Sequence, residues 1–134
     1  MTITRRDFER TGSIQNNLAN AQTVNVLVYA LPTTTGRTLL YNARCVGVGQ
    51  AAIASGAVAE FWGLVEGGVP PSIPASGSSG QVTAMSSSYT GNAAPIWAHQ
   101  LNGNDLRIRF TTPGTGGELF DVWVVLDMWH LENA

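Results

Sequence analysis

The side chains able to do chemistry in this chain are few. It has two histidines, His99 and His130, one cysteine, Cys45, and nine carboxylates. A nucleophilic triad needs a Ser or Cys, a histidine base and a carboxylate brought together. His99 lies in the stretch Trp97-Ala98-His99-Gln100-Leu101, where the odd positions form an apolar face. It is therefore expected to be a core histidine bonded to a backbone group, not a general base. His130 stands between Trp129 and Leu131 near the chain's end, where an interface or solvent role is expected. Asp121, Asp127 and His130 do not form a closely spaced carboxylate cluster on a loop, and the Asn102–Asp105 turn lacks the remaining oxygens of a calcium loop. No glycine-rich stretch leads from a strand into a helix as a phosphate loop does. One cysteine makes neither an intrachain disulfide nor a cysteine zinc site, and Cys45 is expected to be a small buried hydrophobe. The expectation is a protein with no catalytic residues, no metal and no cofactor.

The elements that would position these groups are strands. Leu106, Ile108 and Phe110 alternate with Asp105, Arg107, Arg109 and Thr111, the period-two pattern of a strand with one buried face. From Phe120 the pattern repeats: Phe120, Val122, Val124, Leu126 and Met128 on one face, Asp121, Trp123, Val125, Asp127 and Trp129 on the other. Asn102-Gly103-Asn104 is a tight-hairpin signal that places Trp97, His99 and Leu101 on the core face with Ile108 and Phe110. The Thr112–Gly117 segment is turn chemistry, and a hairpin about Thr115 would set Phe110 opposite Phe120, Ile108 opposite Val122 and Arg109 opposite Asp121.

Upstream, 24–31 is β-branched and ends at Pro32, 37–48 is a second strand with Leu39, Tyr41, Ala43 and Cys45 buried and Thr38, Asn42 and Arg44 outside, and 57–65 is a third with Glu60, Trp62 and Glu66 opposite Ala59, Phe61 and Val65. Residues 50–56 are loop-like, with one helical turn as an alternative. A Gly/Ser/Pro-rich loop spans 67–80 and a short strand 81–87. Residues 1–22 read as an arm with one helical turn, Thr4 as its cap and Asp7 at its positive end. The whole is one domain, 23–134, behind an N-terminal arm. About seven short strands without an amphipathic helix predict an all-β antiparallel β-sandwich, jelly-roll-like or otherwise Greek key.

Composition narrows the functional classes. Charged residues make up 12% of the 134 positions, about half the usual share, and all seven positive charges are Arg. Low charge with abundant Gly, Ser and Thr suits a rigid β protein engaged with other subunits. A net charge of −2 does not favour nucleic acid as a partner. No apolar run approaches the roughly 20 residues of a membrane span. Thr4-Arg5-Arg6-Asp7-Phe8 has the form of a twin-arginine export signal, but the polar residues after it make no hydrophobic region, so export by that route is not expected.

The outward face of the last strand is what a lone sandwich explains least. Trp123, Val125 and Trp129 share it with Asp121 and Asp127, and Trp62 also points outward. Three readings stand: cover from the chain's own arm or from Arg107 stacked on Trp123, an oligomer or assembly interface, and a carbohydrate platform. Arg5, Arg6 and Arg10 of the arm are candidate anchors on an acidic neighbour, and removal of residues 1–20 is expected to leave a folded domain that no longer attaches.

The Lys-free sandwich pattern, the polar arm, the Gly/Ser/Pro loop, the Leu106-Arg107-Ile108-Arg109-Phe110 strand and the closing Val122-Trp123-Val124-Val125-Leu126-Asp127 run together resemble the small β-sandwich structural proteins of tailed-bacteriophage virions. Capsid decoration (cement) proteins and tail-associated sandwich domains are the kinds meant. The resemblance implies a non-enzymatic virion protein, assembled in the host cytoplasm. It would act as a homo-oligomer, a trimer by preference, bound to the major capsid protein or another virion protein. A tail or receptor-binding module that takes a glycan is the alternative. No site residue follows from the resemblance.

Overall fold

The computed structural model describes residues 3–19, 22–50, 56–71, 82–86, 96–112 and 119–133. Eight strands run through them: β1 (Ile3–Leu18), β2 (Thr23–Ala30), β3 (Arg37–Gly49), β4 (Gly56–Glu66), β5 (Val82–Ser86), β6 (Ile96–Asn102), β7 (Asp105–Thr111) and β8 (Phe120–Asn133). They form two antiparallel sheets, one of five strands in the order β1-β8-β3-β4-β5 and one of three in the order β2-β7-β6. The expected antiparallel sandwich is present, with one strand more than anticipated.

The two inner faces meet in a continuous apolar core. Phe120, Val122, Val124, Leu126 and Met128 of β8, with Leu39, Tyr41, Ala43 and Cys45 of β3 and Phe61 and Val65 of β4, face Trp97, Leu106, Ile108 and Phe110 of the smaller sheet, all buried. The period-two alternation has one cause: each pleat turns successive side chains to opposite sides, and only one side is dry. Burial pushes the Cys45 thiol up to about 12, so it stays protonated at neutral pH and packs as a hydrophobe.

Three expectations are corrected. Residues 3–18 hold no helical turn; they form β1, laid antiparallel along β8 from Ile3 opposite Asn133 to Leu18 opposite Phe120. The β6–β7 hairpin is as expected, with Trp97 opposite Phe110 and His99 opposite Ile108, turning through Gly103 at φ +59°. β7 and β8, however, do not pair. β7 lies between β2 and β6, and β8 between β1 and β3, in the other sheet. Phe110 and Phe120 therefore meet across the core, ring centroids 5.8 Å apart, while Arg109 donates to Gln100 and Asp121 accepts from Asn17 and Gln50. A crossover between sheets and a hairpin both turn the same residues inward, so alternation could not separate them. Third, Asn42 is buried although it points away from the core.

His99 joins the sheets. Its Nδ1 lies 2.5 Å from the Tyr41 hydroxyl and its ring stacks on Phe61 at 4.4 Å. Its partner is thus a side chain of the opposite sheet, not the expected backbone group. Burial holds the His99 imidazole below its ordinary value and the Tyr41 phenol above its own. The native state then resists a proton that the unfolded chain accepts near pH 6.5. The stability so contributed is complete above that pH and is lost as pH falls through the lower folded value. Thermal melts should show Tm dropping between pH 7 and pH 5, with a shallower drop in His99→Gln; equal slopes would disprove the assignment.

The possible helical turn at 51–54, most of the 67–80 loop and the turn about Thr115 lie outside the described residues.

Candidate functional site

The outer face of the five-stranded sheet gathers most of the residues singled out from the sequence. Cross-strand register sets them in rows. Phe8, Trp129, Leu40 and Leu64 stand abreast, then Arg10, Asp127, Asn42 and Trp62, then Gly12, Val125, Arg44 and Glu60, then Ile14, Trp123, Val46 and Val58. Two apolar bands thus flank a polar centre. Phe8 (55% exposed), Ile14 (65%), Trp62 (42%) and Trp123 (48%) offer large side chains to solvent.

The upper band is held by aromatic contacts. Trp62 and Trp129 stand on strands two apart, about 10 Å, yet their indoles stack at 6.1 Å with planes 15° apart. The rings lean toward each other across β3, which explains why Asn42 beneath them is only 4% exposed. The Asn42 Nδ2 has no acceptor, an arrangement that costs on the order of 1–3 kcal/mol. Phe8 closes the cluster, its ring 5.4 Å from that of Trp129.

The polar centre is an Arg–Asp–Arg bridge across three strands. Arg10 of β1 gives its Nε and Nη2 to the two oxygens of Asp127, at 2.5 and 3.1 Å, and Arg44 of β3 adds its Nη2 at 3.1 Å. The hydrogen bond from Arg10 is the main reason the Asp127 carboxyl is held below its usual range; the charges of both arginines and the bond from Arg44 assist, against partial burial. Arg10 also lies 5.9 Å from the centre of the Phe8 ring. The acidic neighbour that Arg10 was expected to seek on a partner is therefore in its own chain. With both oxygens engaged, Asp127 is a structural bridge, ill suited to act as a base or to take sugar hydroxyls.

The other expected residues fall as follows. Val125 is half-buried on the same face and Arg6 is exposed at its margin, opposite Leu131. Arg5 lies in β1 opposite Glu132, its side chain outside the described residues. Arg107 belongs to the smaller sheet, paired with Val28 and Gln100 and near Asp105 at 3.8 Å, so it does not stack on Trp123. β1 runs beside Trp123 and leaves it exposed, so the chain's own arm does not cover it.

A second cluster was not legible in the sequence. On the inner side of the sheet, Glu9 accepts from the Tyr29 hydroxyl at 2.7 Å, and His130 Nε2 lies 3.1 Å from the same carboxylate oxygen and 3.2 Å from the phenol. Glu9 and Tyr29 thus both meet the histidine at one ring nitrogen, Nε2. Burial first, then the bond to Glu9 and its charge, pushes the Tyr29 phenol above its ordinary value. The cluster ties β1 and β8 to β2 at the rim of the sandwich, beside a cleft of about 240 Å³ lined by Tyr29, Leu31, Pro32, Arg37, Thr38 and Leu131 among others. Among the described residues, no group of three His, Cys, Asp or Glu side chains is placed to hold a metal ion.

No family model matches the chain, and no curated protein matches it. Among solved structures it is similar to the tailspike protein of Acinetobacter phage vB_ApiP_P1, with 19% identity and a TM-score of 0.42 over 87% of this chain and 20% of that one. It is also similar to the tailspike protein of Acinetobacter baumannii phage AM24, with 14% identity and a TM-score of 0.44 over 96% of this chain and 26% of that one. The chain thus spans about a fifth to a quarter of those two proteins, and overlap at this level assigns it neither family nor activity.

Proposed function

We propose that this chain is a non-enzymatic structural protein of a tailed-phage virion, which works by associating with copies of itself and with other virion subunits through the outer face of its five-stranded sheet. The observation that carries this is the exposure of Phe8, Ile14, Trp62 and Trp123 on one sheet face while the core lies on the opposite side. Single exposed apolar side chains are ordinary; two apolar bands with aromatics flanking a polar centre on one sheet face have the composition of an interface. The virion setting is supported by the resemblance of the whole pattern and by the sandwich the chain forms. The interface is one that capsid decoration and tail-associated proteins would share, and gold-labelled antibody on purified virions would separate head from tail.

Such a face acts by burying area across subunit boundaries that are weak alone. Roughly 800 Å² per partner suffices for a specific contact, and repetition on an array strengthens each through effective concentration. Replacing Trp62 and Trp123 together by Ser removes the stack on Trp129 but admits water to the Asn42 amide, so the melting temperature should stay within a few degrees while association weakens at least about tenfold, the scale of losing aromatic anchors. Sedimentation of the variant beside the wild type measures this, and unchanged association would refute the role of the face. If the mass stays the same and a bound glycan is lost instead, the carbohydrate alternative replaces it.

A further inference from the structure

We propose that β1 is a dimerisation strand: two copies pair β1 against β1 antiparallel, about a two-fold axis at Thr11, and join their five-stranded sheets into one of ten. β1 is the longest strand of the chain, sixteen residues, and lies at the sheet's edge with β8 on one side and, among the described residues, no strand on the other. Unpaired edges are ordinarily blunted by charged side chains, lysine above all, or by proline, bulges or shortness; β1 carries its charges in its first half, Arg5 to Arg10, and none from Thr11 to Leu18. β1 has neither Lys nor Pro, and its register is unbroken from Arg5 to Gln15, with irregularities only beyond those limits. An edge so long and regular is suited to accept a strand.

Among axes from Asp7 to Gly12, the side chains favour one register. Directly opposed residues must share a face, so a two-fold axis between two copies of β1 must pass through a residue. An axis at Asp7, Glu9 or Arg10 sets that charge against itself, and one at Phe8 sets Arg6 against Arg10 and Asp7 against Glu9. At Gly12 it would set Phe8 against Asn16 and Ile14 against Arg10. At Thr11 no like charges oppose: Arg10 faces Gly12, Glu9 faces Ser13, and Phe8 faces Ile14 of the second copy, twice by symmetry. Phe8 and Ile14 are two of the most exposed large apolar residues of the chain, and cross-strand apolar pairs are what stabilise a sheet junction. The pairing also makes the two outer faces one continuous surface.

This inference rests on the reading of the chain as self-associating and names a surface distinct from Trp62 and Trp123. In the full-length protein, Phe8→Lys with Ile14→Glu puts opposite charges across the axis and should keep the dimer within about threefold of wild-type affinity. Phe8→Glu with Ile14→Glu puts like charges there and should weaken it at least about tenfold. Thr11→Cys should form an intermolecular disulfide readily, since opposed Cβ atoms lie about 4.5–5.5 Å apart. Ser13→Cys, displaced from its twin by four residues, about 14 Å, should not. Equal affinities for the two charge variants, or cross-linking at Ser13 but not Thr11, would overturn the pairing. A mass of three chains would overturn this register while sparing self-association, and a monomer at every concentration would end both.

Discussion

Gly63→Ala is expected to cost at least about 3 kcal/mol, near the upper end for an added methyl in a packed core. Gly63 stands opposite Tyr41 in the β3–β4 register, and the Tyr41 ring lies over it. A Cβ at position 63 would come within 2.2 Å of two ring carbons and 2.5 Å of the hydroxyl, distances that no side-chain adjustment absorbs while the ring stays in place. Tyr41 is buried, and its hydroxyl is bonded to His99 of the opposite sheet. Moving the ring therefore breaks the polar link between sheets and disturbs the stack of His99 on Phe61. Denaturant unfolding should show a lower midpoint with an unchanged slope. A loss below about 1 kcal/mol would mean that Tyr41 has room elsewhere and that its link to His99 contributes little.

Removal of residues 1–18 is expected to abolish a soluble folded product. Read from the sequence alone, these residues form an arm whose loss leaves the domain intact. The structure makes them a strand of the main sheet. Without β1, Val122-Trp123-Val124-Val125-Leu126 of β8 becomes a free edge, apolar, uncharged and free of proline, the composition of an aggregation-prone segment. Leu18 is lost from the core, the Glu9 contacts with Tyr29 and His130 disappear, and Asp127 loses Arg10. Expression of residues 19–134 followed by solubility and circular dichroism tests this. A soluble chain with the wild-type melting temperature would restore the reading of an independent arm.

Why β1 escaped the sequence is a matter of which face is dry. Along β3, β7 and β8 the inward positions are apolar and the alternation is plain. β1 turns Glu9, Thr11, Ser13 and Gln15 inward at the rim of the sandwich and carries Phe8 and Ile14 on the outer side, so its pattern is inverted and interrupted by Arg10 and Gly12. The β6–β7 turn was legible because Asn102-Gly103-Asn104 is a local device with a local consequence. The partner of β8 was not, because turn residues say where a chain reverses and nothing about which sheet it enters next. For the candidate site, the outward direction of Trp62, Trp123, Val125 and Trp129 followed from parity alone. The bridge from Asp127 to Arg10 and Arg44, the burial of Asn42 under two indoles and the cluster of Glu9, Tyr29 and His130 depend on strands distant in sequence lying side by side, which residue types do not encode.

The claim that this protein works by association through its outer sheet face is tested most directly by the mass of the purified full-length chain in solution, by light scattering over concentrations up to roughly 100 µM, a range that reveals dissociation constants in the micromolar class. The account predicts a multiple of the 14.2 kDa chain mass, reduced when Trp62 and Trp123 are replaced by Ser, no further than the two-chain species held through β1. A strict 14.2 kDa species across the whole range would contradict it.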